Sequence, residues 1–184
     1  NGDGTKEIVN HMWNFLGFWS IEPTGANTYA YPDTSVDNYY YEFQRIQGVD
    51  AISYMGIQAL DVDGDGNDEV AGIRYIGAND LDYDPYLIDF NTTDNALYSW
   101  DSTKFGVVGE NIWSQFGITS GQFWGIGAAD LNNNGKDEIL LGGSTGYTVV
   151  ALEYNGTGAV LDPANYTASV VYGGGHTSRM SAWE

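Results

Sequence analysis

Ten residues in the middle of the chain have the side chains and the spacing of a calcium-binding loop. The run 61–70 has the sequence DVDGDGNDEV, with acidic residues at loop positions 1, 3, 5 and 9. Calcium takes about six to eight oxygen ligands, and glycines let a short backbone curl so that the carbonyl at position 7 can join the side chains. The sequence therefore predicts a calcium site with the ligands Asp61, Asp63, Asp65, Asn67 and Glu69.

The same loop recurs in the chain. The run 130–139 has the sequence DLNNNGKDEI, and the run 1–8, NGDGTKEI, matches the loop from position 3 onward. A single acidic, glycine-rich run is typical of a solvated turn, but in-phase copies indicate a structural repeat. The predicted ligands of the second loop are Asp130, Asn132, Asn134, Lys136 through its carbonyl, and Glu138. Those of the partial loop are Asn1, Asp3, Thr5 and Glu7.

The flanking residues predict strands on both sides of each loop. An EF-hand needs Glu at position 12, where this chain has Gly72 and Leu141. The segments 70–76 and 139–143 are rich in β-branched residues and contain glycine, and 55–60 and 124–129 share an apolar–Gly–Ile–x–Ala pattern. Each loop is therefore predicted to join two strands.

These residues resemble the FG-GAP/VCBS repeat, the calcium-loop blade unit of integrin-α-like β-propellers, whose motif is D-x-D-x-D-G-x-x-D. Both complete loops match the ligand positions of that motif, with Glu in place of Asp at position 9. The resemblance implies propeller blades and bound calcium. It does not imply an activity.

A second repeat supports the assignment of blades. The segments 41–44, 88–91 and 152–155 share an apolar–acid–aromatic–amide pattern, which is typical of a half-buried strand that ends in a turn. The aromatic segment 10–19 is also predicted as strand. Loop starts recur about every 62 to 69 residues, enough for four strands. We predict an all-β fold in one repeat region, 1–184, with about three β-propeller-like blades of about four antiparallel strands, approximately 1–60, 61–129 and 130–184.

Composition restricts the partners and the compartment. The net charge of −19, with six Lys and Arg, argues against a nucleic-acid or anionic-membrane surface. There is no apolar run long enough to span a membrane. There is also no cysteine, so bound calcium would stabilise the fold in place of disulfides. Loops of this type suit millimolar calcium outside cells, which predicts an extracellular or cell-surface glycoprotein. The sequons predict N-glycans at Asn91, Asn155 and Asn165.

Catalysis has little support in the sequence. There are two histidines and no recognisable nucleophile motif, and His176, after three glycines, is interpreted as structural. Tryptophans 100, 113 and 124 are predicted to lie in the core. The chain is therefore predicted to be non-catalytic.

Three classes of function remain open. The favoured one is a calcium-stabilised scaffold or adhesion module. The alternatives are a carbohydrate-binding module and a fragment of a calcium-dependent lyase, since such propellers also resemble those of rhamnogalacturonan-type polysaccharide lyases. Aligning 178–184 with 55–61 places Glu184 at position 1 of a loop. We therefore expect the chain to be part of a longer chain or assembly, such as a filament, with other copies or neighbouring blades packed head to tail. Glycans and cell-surface proteins are further candidate partners.

Overall fold

The computed structural model of the chain describes residues 5–12, 17–30, 41–42, 56–75, 83–89, 102–118, 125–142 and 148–173. These residues form twelve β-strands and three short 3-10 helices, and they contain no α-helix. Every strand pair among them is antiparallel. The prediction of an all-β fold built from antiparallel strands is confirmed.

The first sheet has a central strand with neighbours on both edges. Its strands are β1 (Ile8–Met12), β2 (Gly17–Gly25), β3 (Thr28–Ala30) and β4 (Tyr41–Glu42). Strand β2 pairs with β1 along one edge and with both β3 and β4 along the other. The segment predicted as aromatic strand thus lies in β1 and β2, except that residues 13–16 lie outside the described part of the chain.

The second and third sheets are simple meanders of four strands. The second contains β5 (Ile57–Leu60), β6 (Glu69–Tyr75), β7 (Tyr83–Ile88) and β8 (Phe105–Val107). The third contains β9 (Gly125–Ala129), β10 (Glu138–Gly142), β11 (Thr148–Tyr154) and β12 (Tyr166–Gly173). In each sheet the acidic loop joins the first strand to the second, as predicted. The predicted blade limits at 60/61 and 129/130 therefore fall inside connections between two strands of one sheet.

One hydrophobic core joins the second and third sheets. The central strands β6, β7, β10 and β11 are rich in Val, Ile, Leu and Tyr, and all six residues of β7 are buried. The core also includes Trp113, which is 0% exposed, as predicted; Trp100 and Trp124 lie outside the described residues. The two residues of this core nearest the first acidic loop are Leu60, just before it, and Val62, inside it.

A buried ion pair fixes the connection after β8. The guanidinium of Arg74 on β6 lies 2.9 Å from a carboxylate oxygen of Asp84 on β7, and both side chains are almost fully buried. The other oxygen of Asp84 accepts a hydrogen bond from the backbone N–H of Asn111 at 2.9 Å. The indole of Trp113, in the 3-10 helix Ile112–Phe116, donates to the carbonyl of Tyr83 at 2.8 Å. These bonds compensate the desolvation of the charges and anchor the helix on the sheet.

Candidate metal centre

Three aspartates converge in the loop between β5 and β6. Asp61, Asp63 and Asp65 each offer a carboxylate oxygen, and the three oxygens lie within 4.8 Å of one another. Such a group can hold a metal ion. Asp61 and Asp63 are half-buried and Asp65 is exposed, so the site opens to solvent on one side.

Backbone N–H groups hold the carboxylate of Asp61 in the centre of the loop. Its Oδ1 accepts from Gly64 at 2.8 Å and from Asp65 at 3.1 Å, and its Oδ2 accepts from Gly66 at 2.9 Å. Gly64 and Gly66 have φ of 79° and 90°, a backbone conformation that residues with a Cβ rarely adopt. The glycines of the motif are thus required for the loop to wrap around the first carboxylate.

The next two aspartates repeat one arrangement two residues apart. Oδ1 of Asp63 accepts from the N–H of Asp65 at 3.0 Å, and Oδ1 of Asp65 accepts from the N–H of Asn67 at 2.8 Å. The side-chain amide of Asn67 also donates to Oδ1 of Asp65 at 2.8 Å. These bonds fix both carboxylates without using their Oδ2 atoms, which can then take part in binding a cation.

Glu69, at position 9, folds back on the loop. Its Oε2 accepts from the backbone N–H of Val62 at 3.0 Å, and the residue is only 4% exposed. Burial raises the pKa of Glu69 to about 9, and the nearby charges of Asp63, Asp89 and Asp65 act in the same direction. Glu69 lies outside the group of three converging aspartates, so its role as a ligand stays a prediction.

A further acid from the third strand of the sheet belongs to the same electrostatic environment. Asp89 directly follows β7, and its pKa is raised by burial and by the charges of Asp63 and Asp65, against the opposing charge of Lys104. Burial likewise raises the pKa of Asp63, with Asp65 and Asp61 adding to the effect and Lys136 opposing it. The loop therefore concentrates negative charge that a bound cation would relieve.

The second loop, between β9 and β10, repeats most of these hydrogen bonds at equivalent positions. Asp130 accepts from Asn134 at 3.0 Å and from Gly135 at 2.8 Å, and Asn132 accepts from Asn134 at 3.0 Å. Asn134 accepts from Lys136 at 2.9 Å. The repeat seen in the sequence is therefore a repeat of backbone geometry as well. The position-9 residue is equivalent too, because Glu138 accepts from the N–H of Leu131 at 2.6 Å.

The side-chain amides of the two predicted asparagine ligands in the second loop donate hydrogen bonds to carboxylates. Asn132 Nδ2 donates to Glu138 Oε1 at 2.8 Å and to Glu153 Oε1 at 2.9 Å. Asn134 Nδ2 donates to the same oxygen of Glu153 at 3.2 Å. The second loop thus offers fewer carboxylates than the first, and the amides of Asn132 and Asn134 already donate hydrogen bonds to the carboxylates beside it.

Sequence reasoning missed the acids of the third strands. Glu153 on β11 and Asp89 after β7 occupy the same place in the apolar–acid–aromatic–amide repeat, and both lie next to a loop. In the sequence, that repeat by itself indicates only a half-buried strand. The signal that could have identified them was the acid at the second position of that four-residue pattern, which follows each loop.

The two loops also touch each other. The backbone N–H of Asp61 donates to Asp137 Oδ2 at 3.2 Å, and the N–H of Asp137 donates to the carbonyl of Asp61 at 2.9 Å. A Cβ added to Gly64 would lie 3.1 Å from the carbonyl oxygen of Gly135, so the two backbones approach closely. Lys136 extends over the ring of Tyr154, with 5.3 Å between Nζ and the ring centroid. No sequence pattern indicated the contact between the two loops.

The structure describes only some of the remaining predicted site residues. Asn1 and Asp3 of the partial loop, the glycosylation site Asn91 and His176 lie outside the described residues. Thr5 and Glu7 lie just before β1, and the hydroxyl of Thr5 is 3.5 Å from the Glu7 carboxylate.

The two described sequons differ in their contacts. Asn155 is exposed at the end of β11, and its Oδ1 accepts from the hydroxyl of Thr167 at 2.7 Å. Asn165 is half-buried, and its Nδ2 donates to the carbonyl of Ala159 at 2.9 Å. A glycan on Asn165 would therefore compete with a hydrogen bond that the fold already uses.

Comparison with protein-family models, curated proteins and solved structures finds no match to this chain. In the part of the chain that the structure describes, none of the helices has the length and hydropathy of a membrane span. Function therefore has to be inferred from the geometry of the loops.

Proposed function

We propose that the chain is a non-catalytic, calcium-stabilised scaffold or adhesion module of an extracellular or cell-surface protein, built from β-propeller blades. The observation that carries this proposal is the convergence of Asp61, Asp63 and Asp65 in a loop that joins two neighbouring strands. Because the metal would sit at this junction, its binding would act directly on the sheet.

The chemistry of the first loop favours calcium over other metals. Its candidate ligands are carboxylate and carbonyl oxygens, with no histidine or cysteine in the loop sequence, which argues against zinc and copper. Magnesium requires near-octahedral geometry and usually keeps several waters, whereas calcium accepts a flexible shell with many protein oxygens. A curled loop with carboxylates at alternate positions suits calcium better.

The ordering of the loop by calcium would extend to the hydrophobic core through the two residues that flank Asp61. Leu60 directly precedes the first ligand and is 2% exposed, while Val62 lies between the first two ligands and is 0% exposed. A metal that orders Asp61 and Asp63 therefore also orders side chains of the hydrophobic core. Calcium at about one hundred times its dissociation constant would stabilise the fold by about 2.7 kcal/mol per site.

The scaffold role is supported by the repeated architecture. Two meanders of four antiparallel strands carry the same loop at the same place, which is the arrangement expected of propeller blades. In such arrays each unit depends on its neighbours for stability, and the outer surfaces serve as contact sites. Adhesion or assembly into a larger structure is a use that needs stable blades and no reactive group.

The raised pKa values of the acidic side chains in the described part of the chain have explanations other than catalysis. The pKa values of Asp63, Glu69 and Asp89 are raised around the proposed metal site, and that of Asp84 is raised by burial beside its partner Arg74. Structural burial and ion pairing raise pKa values as catalytic sites do, so a raised pKa alone does not identify a catalytic group. The described part of the chain therefore offers no acid–base pair that requires an enzymatic interpretation.

Thermal melting with and without calcium tests this function. We expect calcium to raise the melting temperature of the metal-stripped chain, and Asp63→Ala to remove more of that increase than Asn132→Ala, because the first loop has more carboxylates. Magnesium at the same concentration serves as the control for general ionic effects. An unchanged melting temperature in calcium, or turnover of acidic polysaccharides by the isolated chain, would contradict the proposal.

A further inference from the structure

We propose that Asp137 of the second loop is a positioning residue for the first metal site, and that it couples the two loops. The proposal rests on the calcium binding proposed above and adds a regulatory link to it. Asp137 stands at position 8 of its own loop, where the calcium motif assigns no ligand. Its function is to hold Asp61, the first ligand of the neighbouring loop.

Asp137 forms hydrogen bonds with both the backbone N–H and the backbone carbonyl of Asp61. Asp137 Oδ2 accepts from the N–H of Asp61 at 3.2 Å, and the N–H of Asp137 donates to the carbonyl of Asp61 at 2.9 Å. Two bonds in opposite directions fix the position and the orientation of the Asp61 backbone relative to the second loop.

Among the three converging aspartates, Asp61 accepts the most backbone hydrogen bonds. Its carboxylate accepts three backbone N–H groups, from Gly64, Asp65 and Gly66, and so forms the centre around which the loop curls. A displaced Asp61 backbone would therefore move the whole ligand set, although Asp137 does not itself reach the site.

Coupling between the two loops follows from this contact and is reciprocal. Calcium in the first loop fixes Asp61, which holds Asp137 and thereby orders the second loop; calcium in the second loop acts on the first by the same route. Thermodynamic linkage requires the two effects on affinity to be equal. Calcium binding to the two loops is therefore positively cooperative, and loss of the Asp137 side chain weakens this cooperativity by removing one of the two bonds.

The chain provides a matched control for this residue. Asp68 occupies position 8 of the first loop, carries the same charge and is exposed. No bond from Asp68 to another loop is present among the described residues. If Asp137 acted only through its negative charge, Asp68→Ala would weaken the first site at least as much as Asp137→Ala, because Asp68 belongs to that loop.

The test is a calcium titration of the full chain by calorimetry, with Asp63→Ala used to assign the heat of the first loop. We expect Asp137→Ala to weaken the first site by about fivefold or more and to reduce cooperativity, while the backbone bond from residue 137 to the Asp61 carbonyl remains. Asp68→Ala should have a clearly smaller effect and leave cooperativity unchanged. Asp137→Asn keeps an oxygen acceptor for the Asp61 N–H, so it should retain most of the affinity.

The possible outcomes separate this inference from the function on which it rests. Equal losses in the Asp137→Ala and Asp68→Ala variants overturn the coupling while leaving calcium binding intact. A loss in Asp137→Asn as large as that in Asp137→Ala also overturns it, because charge would then be the cause. If the unmodified chain takes up no calcium, the proposed function itself has failed.

Discussion

Oε2 of Glu69 accepts a hydrogen bond from the backbone N–H of Val62 at 3.0 Å, between two buried residues. The bond closes the first loop on itself across seven residues of sequence. Its equivalent in the second loop joins Glu138 to Leu131. The position-9 glutamate therefore has a structural role before any metal binds, and its long side chain makes this possible.

The first prediction concerns pH and the metal-free chain. Burial raises the pKa of Glu69 from 4.5 to about 9. At pH values between these two, the folded state therefore holds a proton that the unfolded state has released. The resulting stability is fully present below the unfolded pKa and is lost as the pH rises toward the folded pKa. The pKa values of Asp63 and Asp89 are shifted in the same direction. Metal-stripped protein should be more resistant to urea at about pH 5 than at about pH 8.

Two comparisons check the cause of this dependence. Glu69→Gln keeps an oxygen acceptor for Val62 but cannot ionise, so its metal-free stability should change less with pH. Saturating calcium should also reduce the dependence, because the metal stabilises the ionised carboxylates. A Glu69→Gln variant with an unchanged pH profile would show that Glu69 is not the group responsible.

The second prediction concerns Lys136. Its positive charge opposes the rise in the pKa of Asp63, although the two residues belong to different loops. Lys136→Met keeps the backbone carbonyl of position 7 and most of the aliphatic side chain over Tyr154, but it removes a cation that repels calcium. We expect the first site to bind calcium about two- to tenfold more tightly at low salt.

Ionic strength provides the control for Lys136. An effect of charge should decrease as salt is raised to about 0.5 M, where screening acts over a few ångströms. Calorimetry at two salt concentrations measures both values. Weaker binding in Lys136→Met at all salt concentrations would instead show that the packing of Lys136 on Tyr154 supports the site.

The loops themselves could be predicted because their information is local. Asp61, Asp63 and Asp65 are separated by single residues, so the motif alone determines that they converge, and the β-branched residues after each loop determine the strand. Asp137 and Glu153 could not be predicted in the same way. The contact of Asp137 with Asp61 spans 76 residues and depends on how two sheets pack, and the contact of Glu153 depends on the register between β10 and β11.

The third prediction is that Asn132→Asp destabilises the metal-free chain but strengthens calcium binding. Asn132→Asp would remove the amide that binds Glu138 and Glu153 and place a third carboxylate between them. The metal-free chain should therefore become less stable, since like charges replace hydrogen bonds. With calcium, the same carboxylate becomes a stronger ligand, so the affinity of the second loop should increase.

Melting temperatures in metal-free buffer and in calcium measure both effects of Asn132→Asp. The control is Asn133→Asp, in which the charge changes at a position of the same loop that is not a predicted ligand. A decrease in stability in both conditions would mean that the second loop does not bind calcium. Equal behaviour of the two variants would mean that only net charge matters.

The last prediction distinguishes the two described sequons. Asn155 is exposed and uses only its Oδ1, toward Thr167, so its Nδ2 can carry a glycan without loss of a bond. Asn165 uses its Nδ2 to bind the carbonyl of Ala159, and a Cβ added to Gly158 would be only 2.4 Å from that nitrogen, so the surroundings are tight. After expression through a eukaryotic secretory pathway, folded protein should carry a glycan at Asn155 and none at Asn165. Peptide mapping by mass spectrometry before and after enzymatic deglycosylation measures the occupancy of both.

Asn165→Gln should also lower stability by about 1 kcal/mol, the usual value of one hydrogen bond. Full occupancy of Asn165 in folded, stable protein would show that the bond to Ala159 is dispensable.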